Sequence, residues 1–203
     1  MGAIKPFRFI PTIKKEEYNN EFTDFVCLKS FFTPQELDKI RSLWSVEAAI
    51  EAGVHLSGKD YKSADIRKSQ IMWIKPGAND WIYDKLGEAC QQINIKRYKY
   101  DIKGFQTELQ LANYEGDGFF EWHMDFGAGG LSSRKLSITV QLSDPTEYEG
   151  GELQFMINQN TVTAPKEKGT TIIFPSFILH RVTKVTSGSR KSIVGWIAGP
   201  PYR

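Results

Sequence analysis

The chain has 203 residues, 40% of them hydrophobic and 25% charged, with a net charge of +2 at neutral pH. That length suits one domain around one core, and so balanced a charge makes no electrostatic case for nucleic acid or an anionic membrane as partner. Two cysteines in no metal-type spacing, and no apolar run of membrane or signal-peptide form, argue against a disulfide scaffold or a membrane span and for a cytoplasmic setting.

The chain opens Met-Gly but carries Pro6 where a myristoylation signal needs Ser or Thr. The mixed-sign run IKKEEYNNE (13–21) reads as solvated surface. Thr33, Pro34 and Glu36 then form a capping-box start, and Leu37, Ile40, Leu43 and Trp44 follow at helical spacing. A second helix fits NDWIYDKLGEACQQIN (79–94), with Ile82, Leu86, Ala89, Cys90 and Ile93 on one face. Between them, 53–77 is polar and glycine-bearing and predicts a loop leading into a strand.

After Phe105 the texture changes to short strands, predicted at 105–114, 119–125, 135–143, 152–156, 161–164, 170–174, 179–182 and 190–198. EYEGGE and PKEKG are the clearest turns between them. This predicts a mainly β fold with flanking helices: a jelly roll of the cupin type, or double-stranded β-helix. Residues 1–103 are expected to buttress a core at 104–203 within a single domain, and no internal repeat or linker interrupts them.

One segment raises a chemical question. ELQLANYEGDGFFEWHMDF (108–126) begins as an alternating strand and ends on His123-Met124-Asp125. Residues two apart on a strand share a face, so the imidazole and the carboxylate converge. Alone, the triplet is weak, because a solvated strand end has the same pattern. His180, late in the β-region on TTIIFPSFILHRV, completes two histidines and a carboxylate, the facial triad used for non-haem Fe(II). Zinc hydrolases also use such a set, but the His-Glu-x-x-His helix is lacking. Arg190 and Ser192 share a face of the last predicted strand, and together they suit a carboxylate.

Taken together, these segments resemble the Fe(II)/2-oxoglutarate-dependent oxygenases, specifically the prolyl 4-hydroxylase-like branch. HMD lies in a segment similar to that branch's first metal-ligand motif. KLSITVQLSDPTEYEGGELQF resembles its central strand pair with the Gly-Gly-Glu turn, and KGTTIIFPSFILHRVTKVTSGSRKSIVGW its closing segment. The resemblance runs from about Asp65 to Pro200. It implies His123, Asp125 and His180 as iron ligands, Arg190 on the distal carboxylate of 2-oxoglutarate, and Tyr114 hydrogen-bonding that co-substrate, beside the Ser192 hydroxyl that the strand face already offers as a further donor. Gln141 stands where some members have a tyrosine that contacts the co-substrate. Collagen-type members carry lysine at the Arg190 position, which brings this chain closer to bacterial and oxygen-sensing members.

The implied activity is hydroxylation of peptidyl proline with Fe(II), 2-oxoglutarate and O2, ascorbate serving as reductant. Two alternatives stay open: the same chemistry on another peptidyl residue or a small molecule, and a non-catalytic metal-binding jelly roll. The glycine-rich 126–134 segment and the polar 55–69 segment, whose Arg67 resembles a substrate-side arginine, are expected as covers over a bound chain. Trp122 is expected to pack on the opposite strand face. The sequence leaves the oligomeric state open.

Overall fold

The structure, a computed structural model, describes residues 5–6, 24–56, 59–61 and 65–202. The run at 13–21 and parts of the predicted 55–69 cover (57–58 and 62–64) lie outside the described residues.

Helix α1 (Pro34–Arg41) starts where the capping box predicts. Thr33 Oγ1 accepts from the Glu36 N–H at 3.2 Å, and the Glu36 carboxylate accepts from the Thr33 N–H at 2.7 Å. Its Leu37 and Ile40 are buried. Helix α2 (Asp80–Ile93) buries Ile82, Leu86, Cys90 and Ile93, with Ala89 only partly covered at the rim. It runs on into a π-helical turn, Asn94–Tyr98.

The strands of the first half are β1 (Lys5–Pro6), β2 (Val26–Leu28), β3 (Ile50–Glu51), β4 (Val54–Leu56), β5 (Lys59–Tyr61), β6 (Arg67–Lys68) and β7 (Gln70–Ile74). Next come β8 (Gly104–Phe105), β9 (Leu109–Glu115), β10 (Phe119–His123), β11 (Arg134–Gln141) and β12 (Tyr148–Gly150). The last are β13 (Leu153–Ile157), β14 (Asn160–Thr163), β15 (Thr171–Pro175), β16 (His180–Val182) and β17 (Val185–Ala198).

Apart from the β4–β5 hairpin they form two antiparallel sheets, the jelly roll that the strand spacing predicts. The larger runs β2-β15-β11-β17-β9-β7-β3, with β1, β8 and β12 attached, and the smaller runs β14-β13-β16-β10-β6. Three expectations are corrected. The segment 53–77 is more than a loop before a strand, since it holds the β4–β5 hairpin and β6, which pairs with β10. EYEGGE is more than a turn, because β12 pairs with β17. The strand expected over 119–125 stops at His123, after a register shift between Phe120 and His123.

Strand alternation divides the larger sheet chemically. One face carries Leu109, Leu111, Leu136, Ile138, Val140, Ile193 and Ile197, which join Ile82, Leu86 and Cys90 of α2 in one core. The other face carries Gln110, Tyr114, Ser137, Thr139, Gln141, Arg190 and Ser192, all of them buried. The smaller sheet covers that second face, with Phe155 of β13 meeting Phe174 of β15 edge-on at 4.9 Å. The polar stripe is therefore sealed between two sheets.

Candidate active site

His123 ends β10 and His180 begins β16, and the two strands pair at that position, with ring centroids 4.2 Å apart. Asp125 lies beyond the strand end, where the Phe126 N–H donates to the Ser176 carbonyl at 3.0 Å. Its Oδ1 is 3.9 Å from His123 Nε2 and its Oδ2 is 3.6 Å from His180 Nε2. One ligand atom from each of the three lies within 4.8 Å of the other two. Expecting Asp125 in a strand was wrong, yet the same three side chains converge.

Their hydrogen bonds orient them for a metal. His123 Nδ1 is 2.7 Å from the Glu121 carbonyl, and His180 Nδ1 is 2.9 Å from the Ile178 carbonyl. A carbonyl only accepts, so each Nδ1 carries a proton and each Nε2 is left facing Asp125. Burial, helped by the neighbouring His180, pushes the His123 pKa down, so its imidazole stays neutral. Burial pushes Asp125 upward, but His180 and His123 outweigh it and hold the carboxyl below its usual range. Two imidazoles and a carboxylate are the donor set a divalent iron takes. Phe120 stacks on His123 at 3.4 Å and 14°, and Arg67 lies over the Phe120 ring at 4.6 Å.

Arg190 faces this group from the larger sheet. Its side chain is only 1% exposed. NH2 donates to Gln141 Oε1 at 2.9 Å and NH1 reaches Ser192 Oγ at 3.4 Å, while Nε is buried without a partner. No carboxylate among the described residues pairs with it. A guanidinium withdrawn from water without a counter-charge is costly, and an anion entering the cleft relieves that cost. Tyr114 pairs with Arg190 across β9 and β17, and the guanidinium sits over its ring at 5.5 Å.

The turn after β12 makes room for this arrangement. Gly151 has φ +60, and a Cβ there would lie 3.0 Å from Arg190 Cδ and 3.1 Å from Tyr148 Cε2. A glycine meets both the backbone and the space requirement.

A cleft lined among others by His123, Asp125, His180, Tyr114, Arg190 and Ser192 joins the two ends. Gln141 does not line the cleft. It braces Arg190 from behind and donates to the Pro165 carbonyl at 3.1 Å. Sequence reasoning missed Gln110, Thr139 and Trp196, which do line it; Gln110 Oε1 and Trp196 Nε1 are buried and unpartnered there. The available signal was the polar alternation of Ser137, Thr139 and Gln141 in a strand otherwise rich in Leu, Ile and Val.

Trp122 packs under Arg181 at 4.6 Å, on the outer face as expected. Arg67 lines the cleft, so that part of the 55–69 segment reaches the site. The glycine-rich 126–134 segment carries a 3-10 turn, Gly129–Ser133. The Gln106 amide ties it at Gly130 O, and the Gly199 N–H ties it at Ser133 O.

Residues 109–198 match the family described as the 2OG-Fe(II) oxygenase superfamily. A PKHD-type hydroxylase of Synechococcus sp. (strain CC9311) is 36% identical over 101 residues, 47% of this chain. The aligned part spans 46% of that relative's length, a little under half. Among solved structures, a Pseudomonas putida prolyl-4-hydroxylase aligns with TM-score 0.71 and 20% identity, covering 87% of this chain and 92% of that one. A Trichoplax adhaerens prolyl hydroxylase, solved with a hypoxia inducible factor peptide fragment, aligns with TM-score 0.68 and 17% identity over 86% and 83% of the two chains. At those identities the likeness to solved structures concerns the fold.

Proposed function

We propose that this chain, whose residues 109–198 form a 2OG-Fe(II) oxygenase domain, hydroxylates proline residues in peptide or protein substrates. The observation that carries the reading is one cleft with a His-Asp-His group and an unpaired buried arginine both opening onto it. The names of the relatives, PKHD-type and prolyl hydroxylases, support the substrate class.

In this reading His123, Asp125 and His180 hold Fe(II) and leave open positions for co-substrate and O2. Arg190 takes the distal carboxylate of 2-oxoglutarate, with Ser192 and the Tyr114 hydroxyl as further donors and Gln141 keeping the guanidinium in place. When bound, the iron supplies the oxidising chemistry: 2-oxoglutarate and O2 become succinate and carbon dioxide, one oxygen atom entering a substrate C–H bond. The chain's own work is to bind, orient and enclose. The two Nε2 atoms and the Asp125 carboxylate are presented together, and the apolar walls Leu153, Val182 and Val194 keep water from the reacting centre. Ascorbate would serve as the reductant in this reading. Two free cysteines suit a reducing, cytoplasmic setting. No helix of the described residues is long and apolar enough to cross a membrane.

The test is incubation with Fe(II), 2-oxoglutarate, ascorbate and a panel of proline-containing peptides, followed by mass spectrometry. One added oxygen on proline, matched by succinate, is the expected result. Succinate formation with no proline peptide modified would turn the reading to another peptidyl residue or a small molecule.

A further inference from the structure

We propose that Ser137, steadied by Ser176, is a positioning residue that leaves Asp125 only one oxygen for the metal and so sets how many coordination positions stay open. The inference rests on the iron-site reading above. Both serines are 0% exposed. Ser137 Oγ lies 2.6 Å from Asp125 Oδ2 and 3.0 Å from Ser176 Oγ. An ionised carboxylate can only accept, and a hydroxyl has a single proton. Ser137 therefore donates to Asp125, and the second contact is completed by the Ser176 hydroxyl donating to Ser137. The two hydroxyls form a directed chain that ends on Oδ2.

The backbone holds this chain in place. β11 and β15 pair with Leu136 opposite Pro175 and Ser137 opposite Phe174, which brings Ser176 beside Ser137. The Ser176 N–H donates to the Lys135 carbonyl at 3.0 Å, and its own carbonyl accepts the Phe126 N–H at 3.0 Å. Ser176 thus grips the residue next to Asp125 as well as the hydroxyl that binds it. Arg134 lies 4.0 Å from Oδ1 and does not occupy it in the same way.

The consequence is a count. Both Asp125 oxygens lie within 4 Å of a histidine Nε2, so an unrestrained carboxylate can offer both to one metal. Three single-atom ligands leave an octahedral metal three positions, enough for a chelating oxo-acid and O2. A carboxylate binding through both oxygens takes a fourth and leaves one too few. A short charge-assisted hydrogen bond to Oδ2 draws its lone-pair density away and turns Oδ1 to the metal. The bland alternative is that Ser137 merely satisfies a buried carboxylate, which would affect stability alone.

Co(II) serves as the probe, because its visible absorption reports coordination number without turnover. Wild type, S137A, S137T and S176A are titrated with Co(II) in the absence of 2-oxoglutarate, and thermal unfolding is followed in parallel. S137A is expected to lose about 10–100-fold in Co(II) affinity, as removal of outer-shell partners does, and to show an altered Co(II) spectrum. S137T keeps the hydroxyl and is expected to restore both. If threonine is too large for the buried position, S176A, which leaves the Ser137 hydroxyl without its donor, must shift the spectrum in the same direction as S137A. A wild-type affinity and spectrum in S137A, or a fall in melting temperature with the spectrum unchanged, overturns the proposal. Failure of the underlying reading looks different: wild type would not bind Co(II), or H180A would bind it as tightly.

Discussion

Among the described residues that line the cleft Arg190 is the one buried cation, and the size of the effect of truncating it to alanine follows from its surroundings. The side chain is 1% exposed, so its pairing with a carboxylate is not the screened surface kind worth about 0–1 kcal/mol. Loss of one partner from a desolvated charge pair costs about 2–5 kcal/mol. At 1.4 kcal/mol per decade, that raises the Kd for 2-oxoglutarate by roughly thirtyfold to several thousandfold.

The assay is ligand-induced thermal stabilisation with Mn(II) in place of iron, which avoids turnover. At a 2-oxoglutarate concentration about 100 times the wild-type Kd, wild type gains about 2.7 kcal/mol. For a chain of this length 1 kcal/mol corresponds to about 2–4 °C, so the melting temperature rises by about 5–11 °C. A variant with Kd raised a hundredfold gains about 0.4 kcal/mol, or about 1 °C. Arg190→Lys falls between them, because lysine keeps the charge and loses the fork that reaches Gln141 and Ser192. Equal stabilisation of wild type and Arg190→Ala by 2-oxoglutarate would show that the carboxylate binds elsewhere.

His123→Ala should end metal binding and succinate formation with an unchanged far-ultraviolet circular dichroism spectrum, whereas His55→Ala should keep both; retained turnover in the His123 variant refutes the ligand set. Gly151→Ala puts a Cβ 3.0 Å from Arg190 Cδ at a backbone φ of +60, so 2-oxoglutarate affinity should fall together with stability, and isothermal titration showing no loss of affinity would detach the turn from the site. Arg41 grips Glu147 through two contacts of 2.7 Å, and that hydrogen-bonded partner holds the Glu147 carboxyl below its ordinary value. Because the folded-state value is depressed, the contribution is present at neutral pH and is lost as pH falls through that value. Glu147→Gln should therefore melt slightly lower than wild type at pH 7, by under about 1 kcal/mol for so exposed a pair, and the two melting curves should converge in acid; a gap that persists in acid contradicts the assignment.

How much of this could be read before the fold was known follows from the range of the interactions involved. The start of α1 is written in Thr33, Pro34 and Glu36, three neighbours whose hydrogen bonds close among themselves. The jelly roll likewise rests on alternation and turns, which are local, although the eight strands expected from Phe105 onward are ten in the structure, β8 to β17. The point at which β10 ends was not local. The chain leaves the sheet after His123 because Phe126 finds its acceptor on Ser176, a residue far along the chain, so Asp125 meets the histidines from a bend rather than from the same strand.

The same limit governs the polar stripe. Ser137, Thr139 and Gln141 alternate with Leu136, Ile138 and Val140, a pattern that serves equally for a face in water and for a face lining a cleft. Alternation records only that two faces differ. The choice between them was made when β10, β13 and β16 closed over the larger sheet, which buried Arg190 without a counter-ion, moved Gln141 behind it and brought Ser176 against Ser137. The residue types able to hold a metal and a dicarboxylate are thus a property of the sequence. Which atoms are left unpartnered to do so is a property of the packing, because burial is what makes an unpaired polar atom costly.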